Sequence, residues 1–333
     1  MIHIPNSGHE AALNLAAEEY ILTGSGISDT VLFFYINAPS VIIGRHQNAY
    51  DEIDRDYAEA HGIRVVRRCS GGGAVYHDTG NLNYSFITPG ARNASADFSL
   101  LLRPMLEALR SLGLPAELSG RNDLTLRGAK FSGNAYYHNR SGSVVHGTIL
   151  FDSDLDVLGK VLRPDPGKLS EKGVRSVRSR VCCIKNELKG IPDTKSLQAA
   201  ILDCFNTGGN LQIRELSDAD RETVSAIADR RYRNDNWTYG ASPVWNVRHK
   251  FRTAAGRIDF RAEVSGGTVR SARFFGDFFC AAEIENLEKD LTGISWQPEV
   301  LKDTLCRFSW QSFFPDLPAD EFTDAVFSRK ADE

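Results

Sequence analysis

The sequence predicts an α+β protein built as two domains, and three observations carry that reading. Strand-like and helix-like segments are mixed through most of the chain without the βαβ rhythm of a doubly wound sheet. Near residue 250 the texture changes to period-two alternation, a glycine turn and three amphipathic stretches. The 333 residues are also more than one hydrophobic core usually organises. We expect a first domain at 1–246 and a second at 247–333, with WTYGASPVW (237–245) as the junction.

Each element has a local cause. Residues 10–22, rich in Ala, Leu and Glu, are expected as the first helix. VLFFYIN (31–37) and SVIIG (40–44) are apolar, β-branched and aromatic, with Ala38-Pro39 between them. They are expected as buried strands joined by a tight turn. IDRDYAEAHG (53–62) is a short helix ended by Gly62. RVV (64–66) and NYSFI (83–87) are strands on either side of a glycine-rich segment, and 99–113 is a helix closed by Gly113. HGTIL (146–150) is a strand, while 154–162 and 195–206 have helical spacing. In the second domain Ile258, Phe260, Ala262 and Val264 alternate, SGGT (265–268) turns the chain, and a second strand follows. The amphipathic stretches 281–292, 298–308 and 319–329 are expected on one face of these strands.

Composition narrows the function. The apolar fraction of 42% and charged fraction of 25% are those of a soluble globular protein. A net charge of −4 offers no general basic field for nucleic acid. No apolar run has membrane-spanning length, and the first 22 residues read as a helix rather than a signal peptide, so a cytoplasmic enzyme is expected. Six cysteines without C-x-x-C spacing argue against a disulfide framework and a zinc site.

Residues 67–81, RRCSGGGAVYHDTGN, hold the densest chemistry. Glycines let main-chain N–H groups approach a ligand, and Arg67 and Arg68 add forked positive charge suited to phosphate or carboxylate. A glycine-rich turn between strands is the plain alternative, and the flanking Arg-Arg and His-Asp tip the balance toward an anion-binding loop. No nucleophile elbow accompanies His77 and Asp78, so they are not a hydrolytic pair; His77 reads as orienting the loop or walling the site. No G-x-x-x-x-G-K-[ST] loop and no G-x-G-x-x-G after the first strand occurs, so any ATP must be held in another way. Lys130 lies among small residues in GAKFSG, which leaves room for a ligand, although a lone lysine is most often a surface charge. Asn122 and Asp123 suit an Asx-type turn. The cations of 172–180, including Arg175, Arg178 and Arg180, suit a solvated face.

That segment, followed in order by SGRNDL (119–124), KFSGNAY (130–136), HGTIL (146–150) and GVRSVRSRV (173–181), resembles the lipoate–protein ligase A family over most of the first 250 residues. The resemblance implies a class II aminoacyl-tRNA synthetase/biotin ligase-like catalytic domain followed by a small α+β C-terminal accessory domain. It implies an ATP-dependent ligase that converts lipoate and ATP with Mg2+ to lipoyl-AMP. The lipoyl group then passes to a lysine of apo lipoyl carrier domains, such as those of 2-oxoacid dehydrogenase E2 subunits and the glycine cleavage H protein. Lys130 falls on the family's catalytic lysine. Arg68, Gly73, Ala74, Val75, Tyr76, Asn122, Asp123, Lys130, Thr148 and Arg178 fall on its ATP and adenylate site. Tyr35, Ser70, Gly71, Gly72, Lys130 and His146 fall on its lipoate site. Asp123 is also a candidate Mg2+ ligand, the alternative being an ion held mainly by phosphates.

Three departures matter. Tyr35 stands where the family often carries tryptophan, and Val145 replaces the first of two histidines common before its G-T. Cys182 and Cys183 directly follow the arginine segment, which keeps open a cysteine-dependent octanoyl or lipoyl transferase without ATP. The remaining alternatives are a biotin ligase, which shares the fold but fits the RRCSGGGAVYHD string less well, and a non-catalytic carrier-binding module that kept the fold.

Overall fold

The computed structural model describes residues 1–90, 97–163, 180–239, 245–279 and 283–327. Two compact units organise them: 1–43, 49–68 and 74–238 form the first, and 44–48, 69–73 and 239–333 the second. Short pieces around the glycine-rich segment thus belong to the unit that holds the last third of the chain.

In chain order the first unit contains β1 (Ile2–Ile4), α1 (Ala11–Thr23), β2 (Val31–Tyr35), β3 (Ser40–Ile43), α2 (Ala49–Glu52), α3 (Arg55–Ala60), β4 (Arg64–Arg67), β5 (Val75–His77) and β6 (Asn81–Pro89). There follow α4 (Phe98–Leu101), α5 (Arg103–Ser111), β7 (Ala116–Ser119), β8 (Asp123–Leu126), β9 (Ala129–Asn139), β10 (Gly142–Leu150), α6 (Leu155–Val161), α7 (Thr194–Phe205), β11 (Gln212–Ile213), α8 (Asp218–Ile227) and α9 (Asp235–Thr238). One eight-stranded sheet runs β11-β1-β2-β6-β10-β9-β8-β7, parallel only where β1 meets β11 and β2.

The expected tight turn between β2 and β3 is not a hairpin. β2 pairs with β6 in the large sheet, whereas β3 lies between β4 and β5 in a small separate one. The connection is fixed sideways instead: the Asn37 side chain joins Asn14 and His77, and the Ala38 N–H donates to the His9 carbonyl. The expected helix at 99–113 is two helices, because Pro104 lacks the N–H that a continuous helix needs there. HGTIL is the end of a longer strand, and β9 and β10 together make a hairpin closed by Arg140 and Ser141.

α1 is largely apolar and buried, and of its two carboxylates, Glu18 and Glu19, only Glu18 is buried. Its face packs on β6 and β10. Cross-strand register gathers Tyr35, Asn83 and Thr148 in one row of that sheet face, and Phe33, Ser85, His146 and Ala135 in the next. The sheet therefore presents a polar band under a buried helix.

The second unit has β12 (Val247–Thr253), β13 (Gly256–Ser265) and β14 (Thr268–Gly276) in an antiparallel sheet, with α10 (Ile284–Leu291), α11 (Pro298–Arg307) and α12 (Ala319–Phe327). Gly266 and Gly267 both have positive φ, as a two-residue hairpin turn that follows the strand twist requires. Phe260, Phe274, Phe278, Trp310, Phe314 and Phe322 form an aromatic core. Among the described residues no helix is long and apolar enough to cross a membrane.

Candidate active site

Lys130 owes its position to one extra residue. Asp123 pairs with Gly133 and Leu124 with Ser132, but Thr125 then pairs with Lys130, so the register slips by one at Phe131. Without that bulge Lys130 would sit on the opposite face from Asp123; with it, both share the face of Gly133. The ammonium lies 2.8 Å from the Asp123 carboxylate, each side chain about one third exposed. A Cβ at position 133 would come within 2.9 Å of both Cε and Nζ of Lys130, so glycine there keeps the lysine's path clear. Thr148 completes this end, accepting from the Gly133 N–H at 3.2 Å.

Asn122 is locked to its neighbour strand. Its side-chain amide donates to the Asn134 carbonyl, and its own carbonyl accepts from the Asn134 backbone and side chain. The Tyr84 hydroxyl holds the other end of the Asn134 amide at 2.5 Å. Asn122 is thereby a brace for the turn that aims Asp123.

A second cluster surrounds Glu18. Its carboxylate accepts from the hydroxyls of Tyr35, at 3.0 Å, and Ser85, and its other oxygen lies 2.9 Å from His146 Nδ1. All four residues are buried. Burial, and then the nearby Glu18 charge, push the Tyr35 hydroxyl well above the ordinary phenol range, so it stays a donor. His77 is buried close by. Burial first, then the positive field of Arg68 and His146, pushes it down to about 3, which makes it neutral. Its Nδ1 accepts from the Asn37 amide at 2.9 Å, which leaves the proton on Nε2, and that atom has no hydrogen-bond partner among the described residues.

The twin arginines differ in task. Burial lowers both to about 10, so both remain cations at neutral pH. Arg67 Nε donates to the Trp237 carbonyl at 3.0 Å and Nη2 to the Thr238 carbonyl at 2.5 Å, while Trp237 Nε1 donates back to the Arg67 carbonyl. Arg68 donates to the Ile42 carbonyl at 3.0 Å, within the field of Glu18 and Tyr35. Asp78 accepts from the N–H groups of Gly80 and Asp154, so its carboxylate is committed to backbone rather than to His77.

The remaining expected residues divide. Val75 and Tyr76 lie on β5 with Ala74 just before it; the buried Tyr76 hydroxyl is pushed up to about 12. Ser70, Gly71, Gly72 and Gly73 belong to the second unit, where the Ser70 carbonyl accepts from the Arg45 N–H at 2.8 Å and Gly71 abuts the Phe278 carbonyl. Arg175, Arg178 and Cys280 lie outside the described residues. The end of the arginine segment is nonetheless anchored, since Val181 pairs with Lys130 and the Cys182 N–H donates to the Lys130 carbonyl at 2.8 Å. Burial raises the Cys182 thiol, with Glu187 adding to it, and burial pushes Cys183 up to about 11. Neither is set up as a thiolate nucleophile. Among the described residues no three His, Cys, Asp or Glu side chains group as a metal site.

Glu18 and Gly133 are the residues that sequence reasoning missed. Glu18 did leave a signal, a carboxylate at the stripe spacing Ala11, Leu15, Glu18, Leu22.

A buried polar band beside a partly exposed lysine–aspartate pair, in a mixed sheet crossed by a central helix, is the arrangement of the class II aminoacyl-tRNA synthetase/biotin ligase-like fold. The profile of the lipoyl protein ligase A/B catalytic domain matches residues 10–206, and that of the bacterial lipoate protein ligase C-terminus matches 242–326. The chain is 39% identical to the lipoate-protein ligase LplJ of Bacillus subtilis, across 98% of this chain and all of that one. Its structure is similar to the archaeal bipartite lipoate protein ligase of Thermoplasma acidophilum, from work on that ligase and its E2 lipoyl domain. The identity is 28% and the TM-score 0.60, over 74% of this chain and 98% of that one. It is also similar to a lipoate-protein ligase A crystallised with ATP, at 26% identity and a TM-score of 0.59, over 72% and 98% of the two chains. The chain belongs to the lipoate–protein ligase family, in the two-domain form with a C-terminal accessory domain.

Proposed function

We propose that this protein activates lipoate with ATP and transfers the lipoyl group to a lysine of an apo lipoyl carrier domain, with the catalytic steps assigned to 1–246 and an accessory role to 247–333. The observation that carries the reading is the bulge-placed Lys130, paired with Asp123 on the sheet face shared with Thr148 and, farther along, His146. Relatives described as binding ATP and as working on an E2 lipoyl domain support the choice of substrates.

In the first step a lipoate carboxylate oxygen attacks the α-phosphorus of ATP, and pyrophosphate leaves. Negative charge grows on the phosphoryl oxygens, and the Lys130 ammonium, a point charge with three donors, stabilises it. In the second step the carrier amine attacks the acyl carbon of lipoyl-AMP. The C–O bond to phosphate breaks, AMP departs, and an amide remains. The same ammonium is assigned to both the carbonyl and the phosphate of the adenylate. Arg68, the 73–76 backbone, Asn122, Thr148 and Arg178 are assigned to the adenylate. Tyr35, Ser70, Gly71, Gly72 and His146 are assigned to lipoate, and we add the His77 Nε2–H as a further candidate donor.

Mg2+ takes one or two carboxylates together with phosphate oxygens and water. Asp123 fits as a single such carboxylate once the nucleotide draws Lys130 toward phosphate, and the ion neutralises phosphate charge when bound. The direct test is lipoate-dependent pyrophosphate release from ATP, with and without an apo carrier domain. Release without carrier, lost in Lys130→Ala, is expected. Carrier acylation without any ATP use would overturn the reading.

A further inference from the structure

The outer face of the second unit's sheet is strongly basic, and the chemistry above makes no use of it. Residues 247–276 carry seven arginines and lysines against two carboxylates, Asp259 and Glu263, in a chain whose net charge is −4. Alternation along β12 leaves Arg248, Lys250 and Arg252 exposed between the less exposed Val247, His249 and Phe251. The helices hold the other face through Phe260, Phe274 and Phe322.

The basic face is only partly neutralised from within. The buried Asp259 takes Arg248 at 2.5 Å and Arg261 at 2.7 Å, and Glu288 takes Arg273 at 2.7 Å. Lys250, Arg252 and Arg270 are exposed and make no ion pair among the described residues. Register places Arg252 opposite Arg257 and Lys250 opposite Asp259, whose carboxylate is taken by Arg248 and Arg261. β12 is also an edge strand of the three-stranded sheet.

The chemistry favours carboxylates on a protein over nucleic acid. Single-stranded nucleic acid is held by bases stacking on open aromatic faces. The one aromatic side chain that β12–β14 place on this face, Phe275, is occupied by Arg261, 4.9 Å above its ring, and by the edge of Trp245.

We propose that this face docks the acceptor of the second half-reaction, a carrier domain with an acidic surface, through Lys250, Arg252 and Arg270. This rests on the ligase reading above. Electrostatic complementarity of this kind acts on encounter and specificity more than on chemistry at saturation.

The test is Lys250→Glu with Arg252→Glu, with Lys289→Glu on α10 as a control of equal sign in the same unit. With the apo lipoyl domain of an E2 subunit as acceptor, the double variant should raise the KM for carrier about tenfold or more. It should leave kcat at saturating carrier and carrier-free pyrophosphate release unchanged. Added salt should raise the KM of the unsubstituted protein more steeply than that of the variant. An unchanged KM, an equal rise in Lys289→Glu, or loss of binding to a short nucleic-acid duplex with carrier KM intact would each overturn the proposal. Absence of pyrophosphate release from the unsubstituted protein would overturn the ligase reading instead. Charge-sensitive binding of the apo lipoyl domain, read by calorimetry, would still uphold the docking face.

Discussion

Glu18 and Asp123 serve the same sheet face under opposite conditions. Glu18 is 7% exposed, sits under α1 and has Tyr35, Ser85 and His146 aimed at it; Asp123 is 35% exposed and holds one ammonium. A half-exposed ion pair contributes about 0–1 kcal/mol, because water competes for both charges. A buried carboxylate with several donors is different, since removing it strands every donor in low dielectric. The first arrangement can be exchanged for a ligand; the second fixes the shape of the site. Function and stability are therefore expected to separate between the two.

The largest effect should come from Lys130→Ala. Lipoate-dependent pyrophosphate release should fall about 10²–10³-fold. Its denaturant midpoint should move by less than about 1 kcal/mol equivalent, because the pair it removes is half exposed. A variant that lost activity by unfolding would erase the contrast, and circular dichroism during urea titration decides this.

Glu18→Ala should do the reverse. Loss of about 3 kcal/mol in unfolding free energy is expected, with Tyr35, Ser85 and His146 all left without their acceptor. Glu18→Gln keeps an acceptor oxygen and should recover a large part of it. If Glu18→Ala unfolded like the unsubstituted protein, the cluster would not be the rigid half of the comparison.

How much of this could be read from the chain follows from how local each feature is. The glycine-rich string, GAKFSG and the RNDL segment are each short and local, so they could be singled out as candidates from the chain alone, and the SGGT hairpin turn could be read directly. The bulge at Phe131 is a relation between two strands, and no residue in GAKFSG announces it. β2 and β3 are both apolar runs, and apolarity does not say that they enter different sheets. The β9–β10 hairpin was half seen because Asn, Ser and Gly interrupt its alternation. Glu18 is the instructive case: its sequence position was wrong for a surface carboxylate, but its three partners lie 17, 67 and 128 residues away.

His77 sharpens the buried side further through pH. In the unfolded chain it titrates near its ordinary 6.5, and in the fold at about 3, mainly because burial penalises its charge. Between those values the unfolded state holds one more proton, so stability falls as pH falls through that window and is unaffected above it. The slope attributable to this group approaches roughly 1.4 kcal/mol per pH unit. His77→Phe should lose less stability than the unsubstituted protein on going from about pH 7 to about pH 5. Parallel losses in the two proteins would place the acid sensitivity elsewhere.

The smallest effect is expected at the cysteines, and it tests the exposed side of the comparison from the other direction. Cys182 is tied by its backbone to Lys130, so proximity alone would make it a tempting nucleophile. Its Sγ instead points to the Ala129 carbonyl, that of Cys183 to the Ser153 carbonyl, and burial raises both thiols. An acyl-thioester route needs a thiolate, and burial, with the Glu187 charge adding to it at Cys182, disfavours it. Replacing both by serine should therefore change pyrophosphate release and carrier acylation by less than about twofold, because neither thiol is turned to a reacting group and the backbone bond of Cys182 to Lys130 is kept. Abolished acylation with pyrophosphate release intact would assign the transfer step to a cysteine and leave Lys130 only the activation step.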